Sequence, residues 1–136
     1  MAYAQWVSYN LYPKNFEATI KNSKLSWGKF YTWDNKDNEL SPERVNGTVI
    51  AKKTTAFNVV NACGRSDSPS GTQGSFDIYD GAQLVATLLW DCPWGSKTNS
   101  WSVTNQHENY VLQGHGGSQY GGAIGTLDYE IIYAPD

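Results

Sequence analysis

Two short segments of the sequence combine tryptophan, glycine and lysine in a way that suits the binding of a small charged group. They are WDCPWGSKTN at Trp90–Asn99 and SWGKFYTW at Ser26–Trp33. The Lys97 ammonium and nearby N–H groups can meet a phosphate, and the face of Trp94 can receive an ammonium. A zwitterionic phospholipid headgroup carries both charges. The pattern therefore predicts a rigid surface loop that recognises such a headgroup, with Trp27 of the second segment framing the same pocket.

Tryptophan also fills protein cores, and any of the six in this chain could have that role. Trp90 is in phase with the apolar residues Leu84, Ala86 and Leu88. We therefore predict that Trp90 belongs to the core, while both interpretations stay open for the other five.

Residues that could support catalysis do not form a recognisable motif. The sequence has no G-x-S-x-G elbow, no H-E-x-x-H and no G-x-x-x-x-G-K-[ST] loop. His107 and His115 lie in polar stretches without a recognisable nucleophile or metal partner, so we predict plain surface side chains. These observations predict a protein that is not an enzyme and that needs no cofactor.

Patterns for metal binding and modification are weak. In Asp34–Glu39, Lys36 stands where a calcium loop needs an oxygen ligand, so we predict a solvated loop. Cys63 and Cys92 form no C-x-x-C pair, and two buried thiols are favoured over a metal site while their pairing stays open. The glycosylation pattern at 46–48 is equally explained by an Asn-Gly turn.

Charge and composition restrict the partners. A formal net charge of −3 disfavours binding to nucleic acid. It also disfavours binding to anionic lipid through clustered lysines. Six tryptophans and nine tyrosines in 136 residues favour a half-apolar boundary such as a membrane interface. A protein of this composition must recognise individual headgroups if it binds membranes.

The sequence predicts peripheral rather than spanning membrane association. No stretch approaches the roughly 18 apolar residues that a spanning helix needs. The N-terminal residues lack the basic and apolar regions of a signal peptide. We therefore expect a secreted or extracellular protein that is exported by a route without a classical signal peptide. A cytoplasmic pool of the protein also agrees with this sequence.

Alternation of apolar and polar residues predicts β-strands almost throughout. It is clearest at Phe16–Lys21 and Leu127–Tyr133. Turn residues bound six further β-rich segments, at Leu25–Trp33, Thr55–Val60, Ser75–Tyr79, Leu84–Trp90, Trp101–Thr104 and Tyr110–Gln113. Tight turns are predicted at 80–81 and 46–47, and the best helical candidate is Pro42–Val45. Eight or nine short strands predict one all-β domain over residues 1–136, either a sandwich or a barrel.

Six motifs in order make the chain resemble the aegerolysins, small β-sandwich lipid-binding proteins of fungi and some bacteria. The resemblance covers nearly the whole sequence. The motifs are AYAQWV at Ala2–Val7, SWGK at Ser26–Lys29, NACGRSD at Asn61–Asp67, GTxGxFD at Gly71–Asp77, WDCPWGSKTN at Trp90–Asn99 and YGGAIG at Tyr120–Gly125.

The resemblance implies a two-sheet sandwich of the aegerolysin or actinoporin-like type that recognises sphingolipid headgroups. The lipids implied are ceramide phosphoethanolamine, or sphingomyelin in cholesterol-rich membranes. For certain members it also implies recruitment of a separate pore-forming partner with a membrane-attack-complex/perforin (MACPF) domain. The family's lipid-contacting residues fall on Trp6, Trp27, Trp94 and Lys97 of this chain.

One position departs from the pattern of members that sense cholesterol-dependent sphingomyelin. Some of these carry a glutamate where this chain has Ser70. The departure favours ceramide phosphoethanolamine, and Ser70 is kept as a residue lining the pocket. A lectin-like carbohydrate-binding module is the alternative, because aromatic platforms also stack on sugar rings.

Overall fold

Two packed β-sheets make up most of the computed structural model, which describes residues 2–95 and 97–135. In chain order the strands in this part are β1 (Trp6–Pro13), β2 (Ala18–Trp27), β3 (Lys29–Thr32), β4 (Asn35–Leu40), β5 (Val49–Ile50), β6 (Ala56–Cys63), β7 (Thr72–Asp80), β8 (Gln83–Cys92), β9 (Ser100–Thr104), β10 (Tyr110–Gly116) and β11 (Gly125–Tyr133). A 3₁₀ turn covers Ala2–Ala4, and one helical turn, α1, covers Pro42–Val45.

The strands divide between a six-stranded and a five-stranded sheet. The order in the first is β10-β11-β1-β6-β3-β4, and in the second β5-β2-β7-β8-β9. Neighbouring strands are antiparallel except for β1 and β11, which pair in parallel. The first and last strands of the chain therefore lie side by side. The all-β, two-sheet sandwich is confirmed, and the barrel alternative is wrong.

The core lies between the sheets because alternate residues of each strand face inward. Trp90, on β8, is only 1% exposed. Its ring lies 6.0 Å from those of Tyr9 and Phe30, which belong to the opposite sheet. Its Nε1 donates a hydrogen bond of 3.1 Å to Thr72 Oγ1. The prediction that Trp90 is a core residue is confirmed.

The sequence missed three strands, β1, β4 and β5. In β1 the buried Val7, Tyr9 and Leu11 do alternate with polar residues. Ser8 is buried as well, and its hydroxyl donates to Asn61 Oδ1 at 2.6 Å. The segment Asp34–Glu39, predicted as a solvated loop, mostly forms β4. This prediction is wrong because the backbone pairs with β3 at an open sheet edge, where exposed polar side chains are tolerated.

The predicted helix and the β7–β8 hairpin are confirmed, while the second turn has another role. The hairpin loop is Gly81 and Ala82, one residue later than predicted. Asn46 does not join two strands; its N–H donates to Pro42 O at 3.0 Å and closes α1. Gly47 follows with φ of +86° and leads the chain away from the helix.

No helix among the described residues is long and apolar enough to cross a bilayer.

Candidate functional site

An open cavity of about 460 Å³ lies at one end of the sandwich, where β2 ends and β7 begins. Four of the five predicted lipid-binding residues line it, namely Trp27, Ser70, Trp94 and Lys97. They come from three separate segments: the end of β2, the loop before β7 and the loop after β8. The tertiary fold thus brings together residues that are up to 70 positions apart in sequence.

The two tryptophans of the cavity point outward. Trp27 is 58% exposed and Trp94 is 42% exposed. Trp27 occupies the last position of β2, and the next residue, Gly28, carries the chain into β3 of the other sheet. Gly28 has φ of +85°, and a Cβ there would lie 2.4 Å from the Cys63 carbonyl oxygen. This turn therefore requires glycine.

Asn99 anchors the loop that carries Trp94 and Lys97, and sequence reasoning gave it no role. Asn99 is 1% exposed, and its Nδ2 donates to three carbonyl oxygens. The acceptors belong to Ser118, Tyr120 and Gly122, at 3.0, 2.8 and 3.2 Å. Its N–H donates to Gln119 O at 2.9 Å. The only hint in the sequence was its place at the end of WDCPWGSKTN.

The loop before β7 forms the other wall of the cavity and is tethered to β4. The Arg65 guanidinium donates two hydrogen bonds of 2.9 Å to the Glu39 carboxylate. This hydrogen bonding lowers the pKa of Glu39. The Ser70 hydroxyl lies 3.0 Å from that of Ser68. Ser70 lines the same cavity as Trp27 and Trp94.

Gly71 lies where this loop passes close to the end of β8. A Cβ at this position would lie 1.8 Å from the carbonyl oxygen of Cys92. We expect Gly71→Ala to lower the free energy of unfolding by about 1–3 kcal/mol, because the backbone must shift to admit the methyl group. Urea titration checks this, with Ser70→Ala as the neighbouring control that should change little. Equal stability of Gly71→Ala and the wild type would contradict the close approach.

The fifth predicted residue, Trp6, lies outside this cavity. It is half-buried on the six-stranded sheet, where it pairs with Cys63 of β6. Its ring makes an edge contact with Trp33 at 5.6 Å, and Lys36 Nζ lies 5.5 Å from its centroid. The structure therefore separates Trp6 from the other four residues, and its contact with lipid stays a prediction.

Neither cysteine is arranged for chemistry. Cys63 and Cys92 are buried free thiols, and burial raises the pKa of both, that of Cys92 to about 11. Both are therefore protonated at neutral pH. No group of three or more potential metal-binding side chains occurs within residues 2–95 and 97–135.

The two histidines differ in their surroundings. His115 is exposed, as predicted. His107 is half-buried, and its Nδ1 accepts a hydrogen bond of 3.1 Å from the Asn109 N–H. It is therefore not a plain surface residue. This contact lies within a turn and gives His107 a structural role.

Fold and site together define a class of protein: an all-β sandwich that carries an aromatic-walled, lysine-bearing cavity at one end. The family model described as Aegerolysin matches residues 4–134. The chain belongs to the aegerolysin family, whose members are hemolysin-like lipid-binding proteins.

Named relatives and solved structures match the chain along nearly its whole length. It is 46% identical over 132 residues to Asp-hemolysin of Aspergillus fumigatus, covering 96% of this chain and 94% of that protein. It is 39% identical to ostreolysin A6 of Pleurotus ostreatus, covering 97% of each. The crystal structure of the RahU protein in complex with a TRIS molecule superposes with a TM-score of 0.93 at 36% identity, covering 99% of each chain.

Proposed function

We propose that the protein binds the headgroup of a membrane sphingolipid in the cavity lined by Trp27, Ser70, Trp94 and Lys97. The observation that carries this proposal is that two exposed indoles and one exposed ammonium surround a single cavity. The indoles enter the membrane interface, where their apolar rings and N–H groups are both accommodated. The Lys97 ammonium is placed against the lipid phosphate. No bond is broken, so the protein acts as a binding module at the membrane surface.

Ceramide phosphoethanolamine is the sphingolipid that we propose as the main target. Ser70 lines the cavity at the position where the family resemblance expects glutamate for cholesterol-dependent sphingomyelin recognition. A serine offers a small, uncharged hydroxyl there and leaves more room. Sphingomyelin is therefore proposed as the weaker ligand.

A separate pore-forming protein with a MACPF domain is proposed as the partner where lysis occurs. The names Asp-hemolysin and ostreolysin A6 point to lytic activity in those relatives. In this chain most of the described residues are already committed to the hydrogen-bonded strands of the sandwich. In this proposal the protein binds the membrane lipid and recruits the partner, and the partner forms the pore.

Co-sedimentation with vesicles tests the headgroup proposal. We expect the wild-type protein to pellet with phosphatidylcholine vesicles that contain ceramide phosphoethanolamine, and to stay in solution with pure phosphatidylcholine vesicles. The lipid should be recovered intact by mass spectrometry, and the vesicles should retain an enclosed dye. Equal binding with and without the sphingolipid would refute the target, and dye release by the chain alone would refute the need for a partner.

A lectin-like function is the second candidate, and one feature of the surface favours it. A shallow groove of about 340 Å³ crosses the outer face of the five-stranded sheet and is lined by several serines. Hydroxyl-rich grooves with an adjoining aromatic wall suit sugar rings as well as headgroups. A glycan array run on the same sample as the vesicles distinguishes the two, because only a lectin binds free glycans.

A further inference from the structure

We propose that the Asp91 carboxylate receives the ammonium group of the bound headgroup and selects a primary ammonium over a trimethylammonium. This inference rests on the headgroup function proposed above. It adds the residue that recognises the cationic half of the zwitterion, for which sequence reasoning had offered only the face of Trp94.

Asp91 lies on the outer face of the five-stranded sheet, at the edge of the cavity. Its neighbours in β8, Trp90 and Cys92, are buried in the core, so the Asp91 side chain points the other way. It pairs with Gln73 of β7 on one side and Ser100 of β9 on the other. Asp91 lines both the 460 Å³ cavity and the 340 Å³ groove beside it. A ligand that enters the cavity therefore meets this carboxylate.

The Asp91 carboxylate makes no hydrogen bond or ion pair with any other described residue, although it is half-buried. Two other acids of the sheets, Asp77 and Asp128, are satisfied internally. Asp77 accepts from Asn22 at 2.9 Å and from Thr87 at 2.6 Å, and Asp128 accepts from Asn10 at 2.7 Å. Partial burial without a partner is unfavourable for a carboxylate. Asp91 therefore keeps an acceptor capacity that no other described residue uses.

The charges of the cavity match those of a zwitterion. Lys97 supplies a cation and Asp91 an anion in the lining of the same cavity, and they form no ion pair with each other. Lys24, on the neighbouring groove, does not neutralise Asp91 by an ion pair either. A ligand that carries both a phosphate and an ammonium can satisfy both free charges at once.

Selection between headgroups follows from the donors on the cation. A primary ammonium has three N–H donors, so it can hydrogen-bond a carboxylate, whereas a trimethylammonium has none. The indole faces of Trp27 and Trp94 do not provide this selection, because aromatic walls bind quaternary ammonium groups well. The carboxylate is the group that turns the preference toward phosphoethanolamine.

The test compares Asp91→Asn with the wild type on vesicles that contain ceramide phosphoethanolamine or sphingomyelin. We expect the substitution to weaken binding to the former by about tenfold, as is usual for loss of a charged hydrogen bond. Binding to sphingomyelin should weaken less, because its trimethylammonium is attracted by the charge of the carboxylate but donates no hydrogen bond to it. Glu17→Gln is the matched control, since it removes the same charge from an exposed residue beyond the opposite end of β2.

A second measurement uses only the wild-type protein and so does not depend on the folding of a variant. Ceramide phosphoethanolamine is methylated stepwise on nitrogen, and binding should fall as the N–H donors are removed. Binding that is unchanged or that rises along the series would overturn the role of Asp91, as would an equal loss of both lipids in Asp91→Asn. If the wild type binds none of these vesicles above pure phosphatidylcholine, the headgroup function itself has failed.

Discussion

Trp94→Ala is expected to weaken binding to vesicles containing ceramide phosphoethanolamine by about 30-fold, the effect of losing about 2 kcal/mol at a binding hot spot. The indole is 42% exposed in the free protein, so its apolar surface is available for burial in the membrane interface. Because Trp94 also lines the cavity that holds Lys97, its removal should loosen the headgroup as well. Trp27→Ala should have a similar effect, since Trp27 is 58% exposed in the lining of the same cavity.

Phe57→Ala is the matched control for this experiment. Phe57 is 71% exposed near the start of β6, whereas the cavity adjoins the region where β6 ends, next to Gly28. Loss of an exposed aromatic side chain at Phe57 should leave vesicle binding within about twofold, as for a residue outside the contact surface. If Trp94→Ala and Phe57→Ala bind equally well, the cavity is not the contact surface.

Trp90→Ala is expected to lower the free energy of unfolding by about 3–5 kcal/mol, the usual cost of truncating a buried aromatic residue. The free energy of unfolding of such a domain is only about 5–15 kcal/mol, so we expect the variant to be only marginally stable. The large effect has two sources: a cavity between the sheets and loss of the hydrogen bond from Nε1 to Thr72. Urea denaturation followed by tryptophan fluorescence and circular dichroism measures it.

Trp90→Phe separates these two sources. It keeps an aromatic ring against Tyr9 and Phe30 but removes the Nε1 donor, so we expect a smaller loss of stability than in Trp90→Ala. Thr72 keeps an acceptor, because its hydroxyl also donates to the Trp27 carbonyl oxygen at 3.4 Å. If Trp90→Phe lowers the free energy of unfolding as much as Trp90→Ala does, the hydrogen bond rather than packing accounts for the stabilisation.

The local pattern of the chain was enough to predict most strands of this fold. β7, β8 and β11 alternate regularly because one face of each packs on the core. β1 was missed although its buried Val7, Tyr9 and Leu11 alternate with polar residues. The burial of Ser8, which bonds to Asn61 of β6, was decided only by the tertiary structure. β4 is a polar edge strand, whose conformation is set by backbone pairing with β3 rather than by its side chains.

For the candidate site, the sequence identified the groups but not their arrangement. The segment WDCPWGSKTN pointed to Trp94 and Lys97 because an indole and an ammonium are suited to a zwitterion whatever their surroundings. Trp6 carries the same side chain as Trp94, yet the structure places it against Trp33 and outside the cavity. Residue type alone does not distinguish these two positions.

What the sequence determined by itself is therefore the all-β class and the chemistry available on the loops, because both depend on side-chain type and short-range spacing. Only the tertiary structure decided that Trp27, Ser70, Trp94 and Lys97 share one cavity and that Asn99 holds the loop in place. It also decided that Asp91 faces the cavity without a partner among the described residues. These facts depend on strand pairing between distant segments. The alternation in β8 already turns Trp90 inward and Asp91 outward, but it does not show which strands lie beside Asp91.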